Sequence, residues 1–175
     1  ETIQQAFNLI SSKLGMQSDL MVEISSDDPV LLQHAQDVVN QADTIDMSSR
    51  ELLELKIKML EIYNFGTRGF EDIGLLLKDI EEEMTSVEVS DYAKALFHIN
   101  KGFYLSVSKS DYTKAVYNMD QALKLLEGSK GHEEDQFRIL TNLAQFYLIM
   151  GNYETGEEYL NQAEKYFKNS KSGAY

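Results

Sequence analysis

The chain has 175 residues, 29 acidic and 16 basic, for a formal charge of −13, with one proline and no cysteine. Such a chain is a poor ligand for nucleic acid or anionic membranes, both of which are held by Lys and Arg, and it has neither a disulfide framework nor a thiolate nucleophile. With 43% apolar residues, no run near the ~20 that span a bilayer and no basic-then-apolar leader, it reads as one globular, soluble, cytoplasmic domain over 1–175 without a membrane partner.

Apolar residues recur at helical spacing almost throughout, and helices are expected over 2–14, 17–25 and 29–43. The third starts where Asp27 and Asp28 precede Pro29, a capping carboxylate followed by a proline preset for the first helical position. A fourth, over 49–65, follows Ser48-Ser49-Arg50-Glu51, which has the spacing of a capping box, and carries Leu52, Leu55, Met59 and Ile62 on its apolar side. Helices over 69–84, 91–107, 111–127 and 133–150 come next, the last opening on Glu133-Glu134-Asp135, where negative charge suits the helix dipole. A final helix over 153–169 has Asn152 as its cap. Gly15, Gly66, Gly128 and Gly151 fall just after apolar-periodic stretches, as helix stops do. No segment alternates with period two, so the fold class is all-α.

The chain also repeats itself. Tyr153 is followed by Gly156 at +3 and Ala163 at +10; Tyr112 has Ala115 and Ala122 at those offsets, Phe70 has Ile73 and Ile80, and Leu32 has Ala35 and Ala42. Asn40-Gln41-Ala42, Asp120-Gln121-Ala122 and Asn161-Gln162-Ala163 echo one another, and the four anchors stand 38, 42 and 41 residues apart. Offsets of three and ten share one helix face, so small residues there admit a neighbouring antiparallel helix, with the aromatic anchor closing the turn between the two. Each unit is then a helix hairpin that buries its apolar face by stacking on the next. The expected architecture is a right-handed superhelix of stacked hairpins over about 17–43, 49–84, 91–127 and 133–169, with a period of about 41.

The last copy, with Leu140, Leu143, Ala144 and Tyr147 followed by Gly156, Leu160 and Ala163, resembles a divergent tetratricopeptide repeat. In the copy before it, Gly102 stands for the first-helix glycine and Ala115, Met119 and Ala122 for the second helix. Long, degenerate repeats in a chain of this character resemble the sensor half of the Rgg/PlcR/PrgX group of bacterial peptide-pheromone receptors. That resemblance implies a short imported peptide as ligand and an N-terminal helix-turn-helix as DNA-binding effector. The chain opens on Glu1 and contains no basic recognition helix, so the effector is expected upstream of it. A sister branch couples such repeats to phosphatase action on response regulators, and a constitutive scaffold docking a protein partner is the remaining alternative.

No catalytic constellation is legible, and no enzyme, cofactor or metal site is expected. His34, His98 and His132 are scattered, without the clustering of a zinc site. Glu81-Glu82-Glu83 and Glu133-Glu134-Asp135 lack the loop pattern of an EF-hand. Gly66-Thr67-Arg68-Gly69 lacks the spacing that cradles phosphate.

In stacked hairpins the first helices line the concave surface. Asn142 stands two residues before Ala144 and Asn100 two before Gly102, so the two asparagines are equivalent, and amides that both donate and accept suit an extended peptide backbone. Each could instead solvate or cap its own helix. Phe103, Arg138, Thr141 and Gln145 neighbour them, with Lys58 near the same stripe upstream. Lys58 and Arg138 either hold a peptide carboxylate or pair with Glu54, Glu61 or Glu134. Tyr159, Leu160, Tyr166 and Phe167 on the last helix suggest an apolar surface that a homodimer would bury.

Overall fold

A computed structural model describes residues 48–65 and 70–172, with side chains at 48–61 and 73–166. The expected helices over 2–14, 17–25 and 29–43, the stops at Gly15 and Gly66 and the copy anchored on Leu32 lie outside the described residues. Within them the protein is all-helical: α1 (Ser49–Phe65), α2 (Phe70–Glu83), α3 (Asp91–Lys109), α4 (Tyr112–Leu126), α5 (Glu133–Ile149) and α6 (Tyr153–Ser172), with no strand. None of these helices is long and apolar enough to cross a membrane. The chain divides into two compact units, Glu1–Ala93 and Lys94–Tyr175, the boundary falling in the first turn of α3.

In the first unit α1 opens on the capping box. The Ser48 N–H donates to Glu51 Oε2 at 3.0 Å and the Glu51 N–H donates to Ser48 Oγ at 3.3 Å, which satisfies two of the donors that every helix start leaves open. Helix α1 packs against α2. Leu53, Ile57 and Leu60 on α1 and Ile73, Leu77 and Ile80 on α2 are buried, each trio spaced four and three residues apart along one helix face. Lys56 pairs with Glu83 across the two helices. Glu54 accepts the Ser90 N–H at 2.8 Å and Arg50 Nε at 3.3 Å, tying the approach to α3 back onto α1. Burial works against the charge on Glu54, but these donors outweigh it and hold the carboxyl below its ordinary range.

In the second unit α3, α4, α5 and α6 run as two hairpins. The Asp111 carboxylate caps α4 by accepting the Lys114 N–H at 3.1 Å. Gln136, buried in α5, reaches back to donate to the Leu126 carbonyl at the end of α4, at 2.7 Å. Helix α5 ends on Gly151 at φ 80°, where the Gly151 N–H donates to Leu148 O and the Asn152 N–H to Tyr147 O, a Schellman stop that needs the left-handed backbone glycine adopts freely. Asn152 then caps α6 through the Thr155 N–H at 3.4 Å.

The two hairpins cross in the same way. A Cβ on Gly102 of α3 would lie 3.1 Å from the Ala115 carbonyl oxygen of α4, and one on Gly156 of α6 would lie 3.2 Å from that of Ala144 on α5. Each crossing sets a glycine against an alanine, with the glycine on the first helix in one hairpin and on the second in the other. The residues at +3 and +10 are buried in all three described copies: Ile73 and Ile80, Ala115 and Ala122, Gly156 and Ala163. The aromatic anchors behave otherwise than expected. Tyr112 leans on Phe146 of the following hairpin, with ring centroids 5.9 Å apart, and Tyr153 is 70% exposed.

Candidate functional site

Helix α5 is held on two sides. It buries Ile139, Leu140 and Leu143, and towards α4 Gln136 donates to the Leu126 carbonyl and Phe146 meets Tyr112. Towards α6, Ala144 faces Gly156, and Tyr147 stacks on Tyr159 with centroids 5.5 Å apart and planes 9° from parallel. The Tyr159 hydroxyl donates to Asp120 Oδ1 of α4 at 3.4 Å, so three helices meet at one small polar cluster. Burial first, and then the Asp120 carboxylate, pushes the Tyr159 phenol up to about 12 and raises that of Tyr147. Burial likewise raises Asp120, against the pull of Lys124 and of the Tyr159 hydroxyl. This cluster fixes how α5 sits and so which of its faces stays open.

The open face of α5 carries four of the residues singled out from the sequence: Arg138, Thr141, Asn142 and Gln145. Thr141 and Gln145 are exposed, and Arg138 and Asn142 are half-buried. The Thr141 hydroxyl donates to its own helix at Phe137 O, 2.8 Å away. Arg138 Nη2 donates to Asp135 Oδ1 at 2.9 Å, so its carboxylate partner lies three residues back rather than at Glu134. Asn142 and Gln145 stand three residues apart on this face, and neither amide meets a hydrogen-bond partner among the described residues. Ile149, 51% exposed, continues the face from Asn142 and Gln145 one turn on, and Phe137, 36% exposed, opens it before Thr141. Sequence reasoning missed both, although each lies one helical turn from a nominated residue.

The remaining nominated residues are placed differently. Asn100 is buried, 2% exposed, and its amide donates to Leu96 O at 2.8 Å within α3. On α4, Asn118 is also buried; it donates to Lys114 O at 2.8 Å and meets His98 Nδ1 at 3.0 Å. His98 is thereby a link between α3 and α4. Phe103 is half-buried on α3. Lys58 is half-buried on α1, in the other unit, and no carboxylate comes within ion-pair distance of it among the described residues.

The chemistry open to this face is hydrogen bonding: two unengaged amides, each able to donate and accept, beside a guanidinium and an apolar end. Among the described residues no three His, Cys, Asp or Glu side chains gather as a metal site would require. No family model matches the chain, and comparison with curated proteins and with solved structures gives no match.

Proposed function

We propose that the chain is the ligand-sensing domain of a bacterial transcriptional regulator, built as a superhelix of stacked hairpins, and that it binds a short peptide in extended form along α5. The observation that carries this reading is the pair Asn142 and Gln145, two amides on one open helix face without a hydrogen-bond partner among the described residues. An extended backbone presents alternating N–H and C=O groups, and amides one turn apart can grip it without regard to side-chain identity. Arg138 stands one turn away, where a peptide carboxylate could share it with Asp135. Ile149 supplies an apolar contact at the far end.

The test is selection of short peptides from a random display library on the whole chain, followed by calorimetry of the enriched sequences. The expected result is binding that weakens about tenfold or more, ~1.4 kcal/mol, in the double variant Asn142→Ala, Gln145→Ala, with an unchanged melting temperature. Enrichment of no peptide, or equal affinity in the double variant, sinks the reading.

A further inference from the structure

A second surface lies on α6. Tyr153, Glu157, Leu160 and Glu164 follow one another at steps of four, three and four residues and so share one helix face. Tyr153 is 70% and Leu160 45% exposed, large apolar side chains standing in solvent. Leu148 of α5, 37% exposed, rests against Gly156, on the turn between those that carry Tyr153 and Leu160, and joins them into one apolar strip. Beside the strip Glu154, Glu157 and Glu158 are all exposed, and none comes within ion-pair distance of a Lys or Arg among the described residues. Like charges three and four residues apart on a helix repel, and Glu157 and Glu158 lie beyond the first turn, where the helix dipole favours an acid such as Glu154.

We propose that this strip docks an amphipathic helix of another protein, with an apolar face of Leu or Met seated on Leu148, Tyr153 and Leu160 and Lys or Arg flanks answering Glu154, Glu157 and Glu158. The spacing fits: Tyr153 and Leu160 are two turns apart, the interval at which a docking helix presents its anchors. Charge selects the occupant. A second copy of the chain, the dimer expected from the sequence, brings the same three glutamates to the same place, and an anionic membrane is repelled by them. A basic helix relieves the repulsion and covers the apolar side chains in one step. The strip is distinct from Asn142 and Gln145, so it stands or falls separately from the peptide site.

The probe is a synthetic helix of about 18 residues, five turns, with Leu along one face and Lys on its flanks, together with a copy in which every Lys is Glu. Calorimetric titration of the whole chain should show binding of the Lys helix that weakens with salt, and none of the Glu helix. Leu160→Ser and Glu157→Lys should each weaken binding about tenfold or more, ~1.4 kcal/mol. Glu127→Lys, an equal charge change away from the strip, should leave it unaltered, and melting curves confirm that all three variants are folded. The proposal is overturned if the Lys helix does not bind, if Glu127→Lys weakens binding as much as Glu157→Lys, or if Leu160→Ser has no effect. It is overturned equally by sedimentation showing the chain alone self-associating through a contact that Leu160→Ser abolishes, which assigns the strip to a second copy.

Discussion

Leu148 occupies the space that a side chain on Gly156 would need: a methyl there would come 2.8 Å from Leu148 Cγ. Gly156→Ala therefore sets two effects against each other. Alanine in a helix interior is worth about 1 kcal/mol over glycine, whereas overpacking a tight crossing costs about 1–3 kcal/mol. The Ala144 carbonyl oxygen, 3.2 Å away, is backbone and yields little, so net destabilisation is expected. In a Leu148→Ala background much of the clash is gone and the same change should become less harmful or favourable. Chemical denaturation of the four proteins in this cycle measures the coupling.

Ala122 and Ala163, 0% and 4% exposed, should tolerate no enlargement. Leu at either position is expected to lower stability by about 1–3 kcal/mol, since neither has free volume beside it. Denaturant midpoints that stay unchanged for both variants would show that these are not the close-packed faces of α4 and α6.

The two asparagines that the repeat makes equivalent should part company. Asn100→Ala removes a buried hydrogen bond to Leu96 O and leaves a gap in the core, at an expected cost of about 1–2 kcal/mol. Asn142→Ala breaks no hydrogen bond among the described residues and replaces Asn with a better helix former, so its melting temperature should hold or rise. Thermal melts of the two variants side by side test this; equal losses would contradict it.

This contrast shows what the sequence conveys and where it stops. Helix ends were legible because their causes are local: the Ser48–Glu51 box, the Gly151 stop and the Asn152 cap each lie within a few residues of the end they define. The crossings were legible because only small residues allow them, and Gly102, Ala115, Ala144 and Gly156 mark them. Repeat offsets give the angle of a residue around its helix, and by that measure Asn100 and Asn142 are alike. Whether anything lies over that angle is decided by residues far away in the chain, and it differs: one asparagine is covered and the other half-buried. Arg138 falls in the same class, since Asp135 at i−3 and Glu134 at i−4 are both within reach and only the fold chooses between them.

The tyrosine cluster should make stability fall at high pH. An unfolded tyrosine loses its proton near ~10, while folded Tyr159 holds it to about 12, with Tyr147 raised as well. The folded state thus binds the proton more tightly; this contribution is fully present below the unfolded value and is lost as pH climbs from there towards 12. Denaturation midpoints should drop over that range, and Tyr159→Phe should flatten the drop. Asp120, also raised, gives the acid-side counterpart: its charging opposes folding above the unfolded value of 3.8. Asp120→Asn should be at least as stable as the parent at neutral pH, with the difference closing as the solution is acidified towards that value.

The bond from Gln136 to the Leu126 carbonyl changes what the stretch between α4 and α5 has to do. Helix α4 is closed by a side chain already anchored inside the next helix and, from the loop, by Ser129, whose N–H and hydroxyl donate to the same carbonyl at 3.1 and 2.6 Å. Gly128 and Gly131 have no atoms within 4 Å of where a Cβ would stand, but both take the left-handed backbone, φ 73° and 87°, and the Gly131 N–H donates to Glu133 Oε1 at 3.2 Å. Lengthening such a connection costs only loop closure, about 0.6 kcal/mol for each doubling. Exposed Lys130 stands between these anchored residues, so it is the place to insert a reporter peptide or a protease site while the helices on either side keep their ends.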